Sequence, residues 1–171
     1  MRIDSRMVFP AILVVSAGLL CFGYYLQFGQ HQEPCPMCIF QRFAYMGVAA
    51  IALAATLHRP HVLGARIYAT LLALTSLTGG AIAARQTWLQ HLPADQVPEC
   101  GPGLSYMLDI YPLADVIKQA FAGTGECAQV TWRFLGLSIA EWSLLWFVVL
   151  TGAAAAAFMR PRRARSSGDG K

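Results

Sequence analysis

The chain has 171 residues, of which 56% are hydrophobic and only 13% are charged. Soluble domains of this size are normally less apolar and more charged, so the composition favours insertion into a lipid bilayer. The formal net charge of +4 does not indicate nucleic-acid binding. The basic residues lie at the ends of apolar runs rather than in one patch among aromatic residues.

The first apolar run predicts a membrane-spanning helix over residues 7–27. About 20 residues at ~1.5 Å per residue cross the ~30 Å hydrocarbon core of a bilayer. Arg2 and Arg6 precede the run, as they would in a cleaved signal peptide, but the run is long for a signal core and carries no clear small-x-small cleavage pattern. Cys21 lies within it and is expected to be a small, buried apolar side chain.

Two cysteines stand two residues apart before the second apolar run, in the segment EPCPMCIFQR at residues 33–42. A Cys-x-x-Cys pair can close a small disulfide ring, and a helix N-terminus or a nearby cation stabilises its thiolate. Pro36 suits a first helical position, and Arg42 shares a helix face with Cys38 four residues earlier. This pattern favours redox chemistry at Cys35 and Cys38, with a metal half-site or two inert thiols as the alternatives.

Three further membrane helices are predicted over residues 39–57, 67–85 and 140–159. The second and third follow each other closely and should form an antiparallel hairpin. Tryptophans near the start of the fourth helix are typical of the aromatic belt at a membrane interface. The sequence therefore predicts an all-α membrane protein, a four-transmembrane-helix bundle in a single domain over residues 1–160, followed by a disordered basic tail at residues 161–171.

The two loops on the cysteine side, residues 28–38 and 86–139, differ in length. The longer one carries four prolines and the cysteines Cys100 and Cys127. Its apolar residues recur at helical spacing and predict a short amphipathic helix, which would lie on the bilayer or pack on the loop itself. These residues are Leu113, Val116, Ile117, Ala120 and Phe121.

The distribution of lysine and arginine predicts the orientation. Nine of the 13 basic residues lie on the side of the two termini, and four lie on the side of the cysteine loops. Because the side richer in lysine and arginine is normally cytoplasmic, both termini should be cytoplasmic and both loops should face outward. This topology places four cysteines in a compartment where disulfides persist.

Cys100 and Cys127 enclose 26 residues, numbers 101–126. A purely structural disulfide between them would be worth about 3 kcal/mol in the chain-entropy treatment. Cys100 is also flanked by proline and glycine, so an exposed disulfide here would be open to thiol exchange. Electrons could then pass to Cys35 and Cys38 and on to an acceptor. The chain has no dinucleotide, haem or iron–sulfur motif, which favours a quinone dissolved in the membrane.

These segments together resemble the disulfide bond formation protein B (DsbB) family. The resemblance is carried by CPMC with Arg42, by QTWLQ at residues 86–90, and by Cys127-Ala128 followed by WRFLGL at residues 132–137. It covers nearly the whole chain. It implies a thiol:quinone oxidoreductase of the bacterial inner membrane that reoxidises a periplasmic DsbA-like thiol oxidase and uses ubiquinone or menaquinone as its cofactor.

The resemblance also implies roles for individual residues. Cys100 forms the mixed disulfide with the partner, and Cys127 is its mate in the loop. Cys38 engages the quinone ring, and Cys35 is the mate of Cys38. The remaining residues implied to bind the quinone are Arg42, Gln86, Gln90 and Ile139. Some members of the family have histidine where this chain has Gln86, so the resemblance does not extend to a proton-donating role at that position.

Three alternatives compete with this interpretation. A zinc-binding protein would normally bring two closely spaced cysteine pairs, and Cys100 and Cys127 are far apart in sequence. A reductase similar to the vitamin K epoxide reductases would need cysteines within the helices or a cytoplasmic electron donor, and only Cys21 lies within an apolar run. A structural membrane protein with two disulfide-closed loops leaves Arg42 unexplained.

Overall fold

The computed structural model describes residues 5–93, 95–97, 109–112, 114–116, 118, 125–130 and 132–159. In chain order its elements are helices α1 (Ser5–Gly29), α2 (Pro36–His58) and α3 (Val62–Gln90), the single-turn helix α4 (Gly125–Ala128), strands β1 (Arg133–Phe134) and β2 (Leu137–Ser138), and helix α5 (Ile139–Met159). Cys100, the segment after residue 159 and parts of the second loop, chiefly 98–108 and 119–124, lie outside the described residues.

Among the helices that are described, α1, α2, α3 and α5 are each long and apolar enough to cross a membrane. A helix satisfies its backbone hydrogen bonds internally, which is what a segment surrounded by hydrocarbon requires. The predicted all-α fold with four spanning helices is therefore confirmed. The structural helices extend beyond the predicted spans, most of all in α3, which begins at Val62 and continues to Gln90.

The connection between α2 and α3 is short. Arg59 ends α2 in a left-handed conformation with φ of 45°, and its backbone N–H donates to the carbonyl of Ala55 at 3.2 Å. His61 then precedes the first residue of α3. Three residues thus reverse the chain, and α2 and α3 pack against each other as the predicted antiparallel hairpin.

Three helices approach one another closely at Gly79 of α3. A Cβ atom at this position would lie 2.3 Å from the ring of Phe147 on α5 and 2.9 Å from Cβ of Ala44 on α2. Phe147 also stacks on Tyr45 with ring centroids 4.2 Å apart. Such an approach is possible only without a side chain, so Gly79 lets three helices meet at one point.

A hairpin leads directly into α5. Strands β1 and β2 pair antiparallel, and the two turn residues between them, Leu135 and Gly136, have φ of 53° and 83°. Two successive positive φ values match the twist of a two-residue hairpin. Ser138 then caps α5: its Oγ accepts from the N–H of Glu141 at 3.3 Å, while the Glu141 carboxylate accepts from the Ser138 N–H at 2.6 Å.

Two expectations from the sequence have different outcomes here. The expectation that Cys21 is buried is wrong: Cys21 is exposed, because it lies on a face of α1 that turns away from the other helices. The amphipathic helix lies partly within the described residues, where 114–116 and 118 are helical. Val116 is buried, and Asp115 and Lys118 are exposed. Leu113, Ile117, Ala120 and Phe121 lie outside the part that is described.

Candidate active site

The first cysteine pair lies at the N-terminus of α2. Cys35 is the N-cap residue in an extended conformation, and Pro36 occupies the first turn as its fixed φ favours. Cys38 follows one turn later, and its Sγ accepts a hydrogen bond of 3.1 Å from Sγ of Cys35. The two sulfurs are therefore within reach of a disulfide, and the pair can accept or release two electrons at the positive end of the helix.

Cys127 of α4 reaches the same place from the second loop. It is fully buried in a small apolar cluster with Cys35, Met37, Ile82 and Leu89. The pKa of the Cys35 thiol lies well above its ordinary value, because side-chain hydrogen bonds with Cys127 and then with Cys38, together with burial, all favour the protonated sulfur. Cys35 thus stays a thiol at neutral pH, next to the cysteine that the second loop supplies.

A buried glutamine from α3 faces both sulfurs of the first pair. Nε2 of Gln86 lies 3.3 Å from Sγ of Cys35 and 3.3 Å from Sγ of Cys38. Oε1 of Gln86 accepts a hydrogen bond of 2.7 Å from Nε2 of Gln41, which lies on α2. Both glutamines are buried, with exposed fractions of 3% and 4%. The hairpin of α2 and α3 therefore encloses the dithiol with two linked amides.

Arg42 lies one turn further along α2 and is held by α1. Its Nη2 donates to the carbonyl of Gly23 at 3.0 Å, and its Nη1 donates to the side chain of Gln27. The guanidinium also lies over the ring of Tyr24, 5.0 Å from its centroid. These contacts use two of the five N–H donors of the guanidinium. They fix a positive charge at the side of the cysteines.

A cavity of about 360 Å³ lies between the long helices beside these groups. Cys35, Cys38, Arg42, Gln86, Gln90 and Ile139 all line it. Most of its remaining wall is apolar or aromatic and comes from α1, α5 and the segment before β1. Its volume falls in the range of ~300–1,000 Å³ that is typical of small-molecule sites.

Gln90 is joined to α5 through the cap of that helix. Oγ of Ser138 donates to Oε1 of Gln90 at 2.7 Å, and Ile139 is the next residue in the chain. At the deeper end of the cavity, the hydroxyl of Tyr45 bonds to Ser143 of α5, with its oxygen 3.1 Å from Oγ. Hydrogen bonds between helices thus define two sides of the cavity.

Seven of the eight site residues predicted from the sequence meet in this region, and the eighth, Cys100, lies outside the described residues. Gln41, Gln27 and Ser138 hold the predicted residues in place and were not predicted from the sequence. Gln41 and Gln27 are neutral polar residues within apolar runs, and such residues in a membrane helix are a signal of buried contacts. Ser138 was detectable as the first residue of a Ser-x-x-Glu capping box.

Comparison with known proteins identifies the family. The profile described as Disulfide bond formation protein DsbB matches residues 5–157. The chain belongs to the DsbB family. It is 53% identical over 152 residues to Disulfide bond formation protein B of Azoarcus sp. (strain BH72), covering 89% of each chain. It is 47% identical over 161 residues to the protein of the same name from Hahella chejuensis, covering 94% of this chain and 98% of the relative.

As a DsbB-family protein, the chain is a membrane disulfide oxidase, a quinone-dependent protein disulfide oxidoreductase with several membrane spans. The family assignment favours the thiol–quinone interpretation over the zinc-binding, structural and reductase alternatives. It also agrees with the site, where a dithiol, a half-buried arginine and an apolar cavity lie side by side.

Proposed function

We propose that the protein reoxidises a periplasmic DsbA-like thiol oxidase and passes the electrons to ubiquinone or menaquinone. The route runs from the partner to Cys100 and Cys127, then to Cys35 and Cys38, and then to the quinone. The observation that carries this proposal is the position of Cys127, which contacts Cys35 while Cys38 lines the cavity. Cys127, the Cys35–Cys38 pair and the cavity are thus next to one another, in the order of the proposed electron route.

Each thiol step in this route exchanges two electrons. The partner's dithiol becomes a disulfide as the Cys100–Cys127 disulfide is reduced to two thiols. Cys127 loses its proton, and its thiolate then attacks the sulfur of Cys35 in the Cys35–Cys38 disulfide, so that Cys38 leaves as a thiolate. Closure of the Cys100–Cys127 disulfide releases Cys35 as a thiol. The raised pKa of Cys35 supports this order, because a protonated Cys35 leaves Cys38 to carry the negative charge.

The residues around the cavity fit a quinone. The apolar and aromatic wall suits a ring and its isoprenoid chain, and Arg42, Gln86 and Gln90 supply polar contacts near the sulfurs. A quinone there supplies an acceptor for two electrons and two protons. The reduction potential supports this assignment as well, since a DsbA-type couple at about −120 mV requires a still more oxidising acceptor.

Arg42 holds positive charge where electrons leave Cys38. Its contacts with Gly23, Gln27 and Tyr24 orient the guanidinium before any ligand binds. A preorganised cation stabilises negative charge that develops on an oxygen atom next to it without reorganisation at the moment of reaction. Arg42 therefore both orients the acceptor and makes it easier to reduce.

The topology proposed for this route places both termini in the cytoplasm and both cysteine loops in the periplasm. The excess of lysine and arginine on the side of the termini supports it. The lipid bilayer surrounds the four long helices and delivers the quinone laterally. The partner's thiols approach the cysteine loops from the periplasm, whereas the basic tail lies in the cytoplasm.

The experiment is an anaerobic turnover assay on detergent-solubilised protein. A reduced DsbA-type protein is mixed with a short-chain ubiquinone or, separately, a short-chain menaquinone, and quinone absorbance is followed together with the partner's thiols. We expect quinone and thiols to be consumed in a ratio of one quinone to two thiols. Cys38→Ala should stop both, and thiol consumption without quinone consumption would contradict the proposal.

Two further variants separate the steps. Cys127→Ala should stop turnover with the protein partner, whereas dithiothreitol, which attacks the first pair directly, should still drive quinone reduction. Cys21→Ala is the matched control, since Cys21 lies on the outer face of α1 and should leave every rate unchanged. Full turnover of Cys127→Ala with the protein partner would exclude the proposed route.

A further inference from the structure

We propose that Gln41 is a positioning residue, which orients the side-chain amide of Gln86 so that its NH₂ group donates to both sulfurs of the Cys35–Cys38 pair. This inference rests on the proposed function of that pair. Gln86 was expected to line the quinone site, and Gln41 had no assigned role. The geometry points to two different roles: Gln86 contacts the reacting sulfurs, and Gln41 acts on them only through Gln86.

The side-chain amide of Gln86 lies against both sulfurs of the pair. Its Nε2 is within 3.3 Å of each sulfur, and the side chain is only 3% exposed. Water therefore does not compete effectively for these contacts. Hydrogen bonds to a sulfur anion favour the thiolate over the thiol, and they are stronger when the acceptor is charged.

The orientation of that amide decides which of its groups faces the sulfurs. A carboxamide has an oxygen at one corner and an NH₂ group at the other, so a half-turn would present an acceptor to the sulfurs instead of a donor. Nε2 of Gln41 donates to Oε1 of Gln86 at 2.7 Å. This hydrogen bond holds the oxygen on the side of Gln41. Oε1 also accepts from Sγ of Cys38, but at the longer distance of 3.7 Å, whereas the Nε2 donor lies 3.3 Å from each sulfur.

The two amides affect the redox properties of the Cys35–Cys38 pair. Neither amide titrates near neutral pH, so the two glutamines favour a thiolate without a change in their own charge. Stabilising the reduced, partly ionised form makes the corresponding disulfide more oxidising, as in other thiol oxidases. The sulfur most affected is that of Cys38, because the neighbouring Cys35 is held as a thiol.

The test uses full-length protein in which Cys21 and Cys100 are replaced by alanine and Cys127 by serine. Cys35 and Cys38 are then the remaining two of five cysteines, and a hydrogen-bonding side chain stays beside Cys35. Quinone is removed, and no DsbA-type partner is added. The reduction potential of the pair is measured in glutathione buffers, and the rate of Cys38 alkylation by iodoacetamide is measured at pH 7. Both readouts report on the sulfurs, and neither depends on the proposed electron route.

We expect Gln41→Met, which keeps the volume but removes the donor, to slow alkylation roughly tenfold, the effect of losing one charge-assisted hydrogen bond. The pair should become less oxidising by about 30 mV for each tenfold change in its equilibrium constant. Gln86→Met should have an effect at least as large. Gln41→Leu provides a second replacement without a donor in case one variant folds poorly.

The double variant Gln41→Met/Gln86→Met decides between a direct and an indirect role. If Gln41 acts through Gln86, the double variant should match Gln86→Met alone, because the amide that Gln41 orients is already absent. Additive effects, or a Gln41→Met protein with unchanged potential and alkylation rate, would overturn the proposal. Ser76→Ala, at a buried polar position ten residues before Gln86 on α3, is the control and should change neither readout.

Discussion

The bundle contains two apolar clusters that differ in composition and in what surrounds them. The larger one joins α1, α2, α3 and α5 along the membrane-spanning region and consists mainly of small and aliphatic side chains. The smaller one joins the ends of α2 and α3 to α4 and contains Cys35 and Cys127. Below, these are called the membrane cluster and the cysteine cluster.

In the membrane cluster, helices approach closely because alanines and Gly79 occupy the contacts. The alanines buried there include Ala52, Ala55, Ala65, Ala69, Ala154 and Ala157. Small residues at helix interfaces allow van der Waals contact between backbones, which is a main source of association within lipid. This half of the bundle therefore holds the helices in fixed positions.

Around the cysteine cluster, polar side chains and a cavity replace that close packing. Gln41, Gln86 and Arg42 bond across helices beside the cavity, and Ser138 bonds to Gln90. The comparison indicates that close packing in the membrane cluster stabilises the fold. Around the cysteine cluster, the helices pack less closely and leave room for the cavity and the reacting side chains. Substitutions in the two halves should accordingly affect different observables.

The largest effect is expected for Arg42→Ala, which should change catalysis and leave the fold intact. Losing a preorganised donor to developing negative charge typically lowers rates by about 10²–10³-fold. We expect kcat/KM for quinone to fall about a hundredfold, while thiol exchange between the partner and Cys100 continues. Steady-state rates over a range of quinone concentrations, with circular dichroism as the check on folding, measure this.

Arg42→Lys separates charge from geometry. Lysine keeps the positive charge but lacks the planar set of donors that bonds to Gly23 and Gln27. Its kcat/KM should lie between those of the original protein and Arg42→Ala. Unchanged quinone kinetics in both variants would remove Arg42 from the proposed site.

The second effect tests the membrane cluster. Gly79→Ala places a methyl group within 2.3 Å of the Phe147 ring, so the helices must separate or the ring must move. Overpacking of this kind costs about 1–3 kcal/mol, and we expect a lower thermal midpoint with normal activity per folded molecule. Gly152→Ala on α5 is the matched control, because a Cβ there meets no atom within 4 Å. Equal midpoints for the two variants would contradict the assigned role of Gly79.

The sequence predicts the membrane half better than the cysteine half, for a physical reason. Transfer of apolar residues into lipid depends on composition alone, so the four helices are visible as apolar runs. The end of α3 was missed because Arg85, Gln86 and Gln90 interrupt the apolar pattern. Those polar residues belong to the helix nevertheless, since Gln86 and Gln90 face partners inside the bundle rather than lipid.

Site residues that lie close together in the sequence could be predicted from it. Site residues that are far apart in the sequence and come together only in the folded chain could not. The spacing of Cys35, Cys38 and Arg42 is local and indicates thiol chemistry directly. Gln41 and Gln86 are 45 positions apart and come together only because a short turn folds α2 against α3. The contact between Cys35 and Cys127 likewise depends on the path of the second loop, which no local pattern encodes.

The third effect concerns the cysteine cluster and is measured through the ionisation of the Cys35 thiol. Below its raised pKa, Cys35 remains a thiol, and only the thiolate reacts with iodoacetamide. Cys127→Ala removes the largest cause of the shift, so the pKa should fall and the Cys35 thiolate should appear at lower pH. In a reduced Cys100→Ala background, we expect alkylation of Cys35 at pH 9 to accelerate about tenfold, equivalent to one pKa unit.

Mass spectrometry of the alkylated peptides assigns this rate to Cys35. Cys21 serves as an internal reference, because it lies on α1 outside the cysteine cluster and its own rate should not change. A rate at Cys35 that is unaffected by Cys127→Ala would mean that burial, rather than contact with the second loop, keeps this sulfur protonated.

The smallest effect is expected where the two halves are joined, at the cap of α5. Ser138→Ala removes both the N-cap acceptor and the donor to Gln90, and loss of an N-cap typically costs about 1 kcal/mol. Glu141→Gln keeps an acceptor for the Ser138 N–H and loses mainly the exposed contact with His91, so it should be nearly neutral. Thermal unfolding in detergent measures both. If KM for quinone rises in Ser138→Ala and not in Glu141→Gln, the Gln90 contact orients the cavity wall as well as stabilising the helix. If the two variants lose equal thermal stability and KM is unchanged in both, only the cap matters.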